Sequence, residues 1–499
     1  MSVPPHQGSI AQSTGSRPDA EPTLQAGALG LSGAIMQSVT LIAPAVAGLF
    51  FIPFITSQAG VTSPLAYPIG FIVTLALGFM LVELAKHMPS AGGYFTYISR
   101  AVSPRAGFLS AWIFTFYVPM VGGPITAFFG YILEGEFKGN YGWTWFHWWY
   151  APIVMLPIIS YLAYRGVEIS TRVIVILGAL EMVIVLALAV WGIFDPGKGG
   201  FNVSSFNPGN VANWSGFSLA VVFSIQGFTG WDGAAPLAEE TANPRRNVPR
   251  AVIGSILILG AFLVIVSWGI TLGWGTSVIG TLPGSPELPG LVLAHHFWSR
   301  GWVLVLFAIF SSVLAVSLSS NNVSTRMWYS MARAGALPKP LAKLHPVYRT
   351  PVNAIAVQFV LNVISGLVIG LWLGPAKGFN LLTGLTLVLA VLVVYTMANL
   401  GVFLFYRRER PQEFSWVKHA FIPVALTCFL AYLLYKSFNP WPASPYGYAP
   451  IIIGVWLLLG VGVLFVMKAR GQEDWVLRAG ASVADAEARG DLEHGMRPV

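Results

Sequence analysis

The sequence predicts an all-α membrane protein with twelve transmembrane helices. Three observations carry this: 55% of the 499 residues are hydrophobic while 10% are charged, long apolar runs recur along the chain, and basic residues gather on alternate connections between those runs. An ordinary soluble domain carries roughly 25% charged residues. About 20 apolar residues at a rise of 1.5 Å each cross a hydrocarbon core of roughly 30 Å, so the lipid bilayer is the solvent this composition suits.

The stretch 1–26 is rich in Pro, Ser, Gln and Gly and lacks the basic n-region and short apolar core of a signal peptide. It predicts a disordered cytoplasmic tail. Apolar runs then place spans near 28–55, 65–86, 106–133, 148–164, 172–194, 215–238, 250–274, 301–332, 352–373, 380–406, 418–437 and 448–468. With the N-terminus inside, the cytoplasmic connections hold Arg100, Arg105, Arg165, Arg172, Arg245, Arg246, Arg250, Arg407, Arg408 and Arg410 among others. The external connections hold only Lys138, Lys198, Arg300, Lys377 and Lys436. By the positive-inside rule both termini are cytoplasmic, in a chain expected to reside in the plasma (inner) membrane. The same asymmetry accounts for the net charge of +8 without nucleic acid.

External Trp143, Trp145, Trp148 and Trp149 fit an aromatic belt at the headgroups. Cys428, the single cysteine, excludes an intrachain disulfide and a cysteine metal site. His295 and His296 are adjacent and lack the one-turn spacing of two metal ligands, so they read as loop or interface residues, with no metal expected. The tail at 471–499 mixes both charges with small residues.

Two spans are interrupted. The first carries Ala43-Pro44-Ala45-Val46-Ala47-Gly48, where proline removes a donor and disfavours helix at the residue before it. The sixth carries Gln226-Gly227-Phe228-Thr229-Gly230-Trp231-Asp232-Gly233. Backbone freed at membrane depth is tolerated only where it is buried in protein or lines a cavity. Breaks at equivalent positions of two five-helix halves point to an inverted-repeat transporter and to its binding site. Free N–H groups at Ala47, Gly48 and Leu49 would suit a carboxylate, and carbonyls near Ser224 to Gly227 an ammonium group or cation. A small zwitterion fits between them.

Further motifs carry a resemblance. Glu83 with Pro89-Ser90-Ala91-Gly92-Gly93-Tyr94 and Tyr97, the stretch Ala238-Glu239-Glu240-Thr241-Ala242-Asn243-Pro244-Arg245-Arg246-Asn247-Val248-Pro249-Arg250-Ala251, and Arg326 with Met331-Ala332-Arg333-Ala334-Gly335-Ala336-Leu337-Pro338 resemble the amino acid, polyamine and organocation (APC) transporter superfamily over roughly 27–468. The resemblance implies an amino acid permease with a leucine-transporter-like fold of 5+5 inverted repeats, with helices 1 and 6 broken. Its parts would be a first repeat over 27–214, a second over 215–410 and two accessory helices over 411–470. It also implies a substrate site between spans one, three, six, eight and ten. The chain departs from the usual pattern in having alanines where the first break is commonly glycine-rich, and Asp232 where many members have glutamate.

Ionisable residues at membrane depth are costly and are candidates for function. Glu181 stands mid-span with no basic residue within a turn. It could carry a proton, or join Ser317 and Ser320 in coordinating Na⁺. Asp232 could meet a substrate amine, gate the path, carry a proton or cap the second half of span six. Trp231 and Phe228 could give a cation-binding or gating surface, and Tyr117 joins the site on the same argument. Glu83, Glu239 and Glu240 lie near Lys86, Arg245 and Arg246 and read as ion-pair latches of an inward gate.

The sequence holds no Walker motif, nucleotide-binding domain or catalytic triad. No cofactor and no enzyme activity are expected, and energy would come from a proton or sodium gradient. The expectation is a proton symporter importing a small amino acid; a polyamine or monoamine carrier and an exchanger keep the same fold, and a non-transporting sensor is the reading from another class. Oligomeric state has no signature in the sequence.

Overall fold

A computed structural model describes residues 24–285, 287–439, 441–471 and Trp475. The expected tails at 1–26 and 471–499 fall almost wholly outside the described residues. Regular structure within them is helical, apart from isolated bridges joining Leu29 to Thr241 and Leu344 to Pro351.

The first part of the chain forms α1 (Leu31–Ile42), α2 (Pro44–Phe50), α3 (Ile52–Ala59), α4 (Ser63–Ala85), α5 (Tyr94–Ala101), α6 (Pro104–Tyr117), α7 (Gly122–Tyr141), α8 (Tyr150–Tyr164) and α9 (Val167–Phe194). The remainder forms α10 (Trp214–Gln226), α11 (Pro244–Trp274), α12 (Pro289–Trp298), α13 (Trp302–Ala334), α14 (Val352–Val363), α15 (Ile369–Leu373), α16 (Pro375–Phe379), α17 (Leu387–Glu409), α18 (Ile422–Phe438) and α19 (Tyr448–Ala469). Ten helical stretches among the described residues are long and apolar enough to cross a membrane, and α8 and α10 are shorter apolar helices.

Burial sorts these helices into centre and rim. In the most apolar window of α1 and α2 83% of residues are buried, against 11% in α19. A helix as apolar as α19 with so little covered must face lipid tails. The long α13 runs through the centre and hides Ser311, Ser312, Ser319, Asn322 and Arg326 from solvent. Asn322, which opens an Asn-X-Ser pattern, lies inside this helix and bonds Gln37 and Ser170.

Close packing is visible where side chains are smallest. Gly192 on α9 and Gly269 on α11 let two backbones touch, because a Cβ on Gly269 would lie 2.2 Å from the Ala189 carbonyl oxygen. At the rim, Trp112 and Trp456 stack at 4.7 Å, and each indole N–H donates to the other's backbone carbonyl, at 2.8 and 2.7 Å.

The structure differs from the expected elements in two places. The expected third span, 106–133, is interrupted between α6 and α7 around Pro119, whose carbonyl accepts from Gln358 Nε2 at 3.0 Å. Of the loop and interface readings of His295 and His296, the loop one fails: both lie on α12, which Pro289 opens at its first position. His295 stacks on Trp302 and stands 3.6 Å from Glu136.

Candidate functional site

The first break is one residue wide. Pro44 cannot donate and disfavours helix at Ala43, which takes the left-handed conformation at φ 60°. Ala43 N–H turns back to Thr40 O at 3.1 Å, and Ala47 N–H resumes the helix on Ala43 O at 2.8 Å. Between them, Ala45 N–H donates to Glu181 Oε2 at 3.2 Å and Val46 N–H to Ser312 Oγ at 3.5 Å. Leu41 and Ile42 carbonyls thereby lose their regular donors four residues on. The freed N–H groups are thus those of Ala45 and Val46, two residues before the expected Ala47, Gly48 and Leu49. Gly48 instead packs on Val266 of α11.

The second break starts where α10 ends at Gln226 and passes through turns to a 3₁₀ segment, Ala235–Glu240. Gln226 Nε2 donates to Thr383 O at 3.0 Å and Gly384 O at 2.6 Å. Both acceptors belong to a π-helical stretch, Asn380–Thr386, which leads into α17. Gly230, at φ +117°, rests on the end of α1: a Cβ there would lie 2.8 Å from the Leu41 carbonyl carbon. The two breaks are therefore in direct contact.

Between them lies a small cavity of about 50 Å³ bordered by Leu41, Ile42, Ala43, Val46, Phe51, Val121, Ile125, Gln226, Thr229, Val316, Phe379, Thr383 and Leu387. Thr383 Oγ1 is buried and has no partner. Phe379 also borders a larger open cavity of about 600 Å³ that includes Glu134, Glu136 and Glu287. Phe128 stacks on Phe379 at 4.7 Å, and Phe50 meets both rings edge-on.

Phe228, Tyr117, Trp231 and Asp232, singled out in the sequence, lie away from that lining. Phe228 is fully buried and stacks on Phe71 of α4 at 6.3 Å. Tyr117 packs against Phe114 at 5.1 Å. Asp232 is 4% exposed, with Oδ2 unpaired, among Tyr94, Tyr97, Tyr117 and Tyr395. It does not cap the following turn: the N–H groups of Gly233, Ala234 and Ala235 go to Gly230 O, Ser38 Oγ and Asp232 O. Trp231 lies against Tyr395 at 5.2 Å, and the two border a crevice of about 10 Å³ with Tyr94 and Asn399.

Glu181 is wholly buried, and its Oε1 has no partner. The expected companions Ser317 and Ser320 do not bond it: Ser320 Oγ donates to Ser317 O at 3.0 Å and Ser317 Oγ is unpartnered. Helical spacing explains this, because Ser312, Val316 and Ser319 share the face of α13 turned to the first break. Ser312 contacts Val46, and Ser319 Oγ meets Thr40 Oγ1 at 2.7 Å. The sequence reading missed both serines, although the i, i+4, i+7 series was present to find them.

Beyond the breaks stand the expected latch residues, Glu83 beside its expected neighbour Lys86, and Glu239 and Glu240 with arginines of α13. Glu83 pairs with Lys86 at 2.6 Å and also accepts from the Tyr406 hydroxyl. Glu240 forms a buried fork with Arg326, at 2.9 and 3.3 Å, and Glu239 one with Arg333, at 2.6 and 3.0 Å. Arg245 and Arg246, which stand nearest in sequence, are exposed at the start of α11. The backbone leaves the 3₁₀ turn with both glutamates directed at α13.

An all-helical bundle with a small cavity between two interrupted helices is the arrangement expected of a membrane transporter of the permease class. The family model for amino acid permeases matches residues 33–475, and the chain belongs to that family. It is similar to the serine/threonine exchanger SteT of Bacillus subtilis, 24% identical over 72% of this chain and 79% of the relative. It is also similar to the low-affinity putrescine importer PlaP of Escherichia coli, at 26% over 70% and 74%, and to the branched-chain amino acid permease BcaP of Bacillus subtilis, at 24% over 83% and 88%. The protein is a multi-pass membrane protein of a transporter family and not an enzyme.

Proposed function

We propose that this chain is a secondary active transporter that imports a small amino acid by proton symport with alternating access. In this reading α1 with α2 and α10 with its following turn are the broken first and sixth of twelve spans, in two inverted five-helix repeats over 27–214 and 215–410 with accessory helices over 411–470. Both termini would face the cytoplasm from the plasma (inner) membrane, following the basic connections. The substrate occupies the cavity between the breaks, with its ammonium group toward the Leu41 and Ile42 carbonyls.

The observation that carries the proton step is Glu181: a carboxyl group with no solvent contact, one oxygen on Ala45 N–H and the other unpaired. A proton on it would neutralise a charge that is costly at that depth, and its bond to the first break ties that event to the cavity wall. Asp232 and its tyrosines, with the Glu83, Glu239 and Glu240 pairs beyond them, would form the closed layer on the cytoplasmic side. The likeness to a named exchanger favours a second reading, substrate exchange without net proton flux.

Uptake of a panel of labelled amino acids and amines into proteoliposomes decides between these readings. Concentrative uptake that requires an inward proton gradient and ignores Na⁺ supports symport. Uptake only into preloaded vesicles replaces it with exchange, and dependence on Na⁺ transfers the coupling to that ion.

A further inference from the structure

We infer that the cavity between the two breaks is built for a neutral amino acid with an aliphatic side chain, to the exclusion of polyamines and of acidic or basic amino acids; this names the substrate class within the transport reading above. The apolar wall is made by Val46, Val121, Ile125, Val316 and Leu387. The polar side chains on the lining are Gln226, Thr229 and Thr383, all uncharged. No described residue that borders the cavity carries a charge.

A buried charge must be paired or it is expelled. A zwitterion satisfies this on its own, since its two charges sum to zero and each needs only dipoles. The Leu41 and Ile42 carbonyls, deprived of their regular donors, meet the ammonium end. The Thr383 hydroxyl, 9% exposed and unpartnered, is a polar group left for the ligand to satisfy. The distal ammonium of a diamine or of lysine, or the distal carboxylate of glutamate, would find no opposite charge among the described lining residues. Asp232 does not supply the missing partner, because it lies off the lining and among tyrosines, and Trp231 next to it packs against Tyr395. Gln226 amide hydrogens are already committed to Thr383 O and Gly384 O.

The test is titration calorimetry on the purified full-length protein with alanine, 2-aminobutyrate, norvaline and leucine, and with putrescine, lysine and glutamate. Affinity is expected to rise about fourfold for each added methylene until the wall is filled, with the charged solutes bound at least about tenfold more weakly than leucine. Thr383→Val is expected to weaken all the aliphatic ligands by a common factor of about ten, and Ile125→Ala to move the preferred chain length upward. Tighter binding of putrescine, lysine or glutamate than of leucine overturns the inference, as does a flat affinity from alanine to leucine or no binding by any ligand. The same panel in proteoliposomes separates the two readings. Leucine that binds without being carried removes the transport reading and leaves the cavity assignment, whereas putrescine that is carried while leucine fails to bind does the reverse.

Discussion

Arg326 Nε and Nη2 grip the two carboxylate oxygens of Glu240 at 2.9 and 3.3 Å, with Arg326 0% and Glu240 1% exposed. The pair joins the end of the interrupted sixth segment to α13, and Arg326 Nη1 also reaches Thr325 Oγ1 at 3.2 Å. Such a fork is paired well enough to exist without water.

Removing one partner leaves an isolated buried charge, which costs about 3–5 kcal/mol. Arg326→Met is therefore expected to lower the unfolding temperature of the purified protein sharply, and Arg326→Met with Glu240→Met to recover much of the loss. A double variant as unstable as the single one would show that the pair itself, and not the orphaned charge, matters.

Glu181→Gln keeps an oxygen for Ala45 N–H and gives up the ability to bind a proton. Proton-driven accumulation in proteoliposomes is expected to fall to background, while exchange into preloaded vesicles continues. Accumulation at the wild-type level would remove Glu181 from the coupling step.

Gly230→Ala forces a side chain into a left-handed φ of +117°, with its Cβ 2.8 Å from the Leu41 carbonyl carbon. The backbone strain alone is worth about 1–3 kcal/mol, and relief requires the two breaks to part. Substrate binding is expected to weaken more than thermal stability does. Calorimetry beside a melting curve measures both.

His87, in the turn after α4, has its pKa lowered from the ordinary 6.5, by burial first and then by the positive charges of Arg410 and Lys86. A depressed imidazole value means that the folded state binds fewer protons than the unfolded one. The stabilisation is therefore present above about 6.5 and is lost as pH falls through the lower folded-state value. The melting temperature is expected to decline over that range, and His87→Gln to flatten the decline.

Composition and punctuation made the membrane-spanning helices and both breaks legible, because proline and clustered glycines act on the backbone of their own segment. Pro44 and the run from Gly227 to Gly233 mark the interruptions where the structure has them. The same signal at Pro119 was present but hidden within a run that stays apolar on both sides. Long-range partners were not legible. Glu239 and Glu240 sit a few residues from Arg245 and Arg246, yet both also form forks with Arg333 and Arg326 on a helix distant in sequence. Residue type alone points equally to Ser317 and Ser320, whereas helix phase decides that Ser312 and Ser319 meet the first break. Asp232 stood out as a charge, but its tyrosine surround depends on α5, α6 and α17 converging, which no local pattern encodes.

Cys428 lies exposed on α18, does not border the cavity between the breaks, and is the only thiol in the chain. One substitution therefore yields a cysteine-free background in which spin labels or fluorophores can be paired at chosen sites, such as across Phe128 and Phe379. Left in place, Cys428 is a single, stoichiometric attachment point from which the motion of the inner helices can be timed against the periphery.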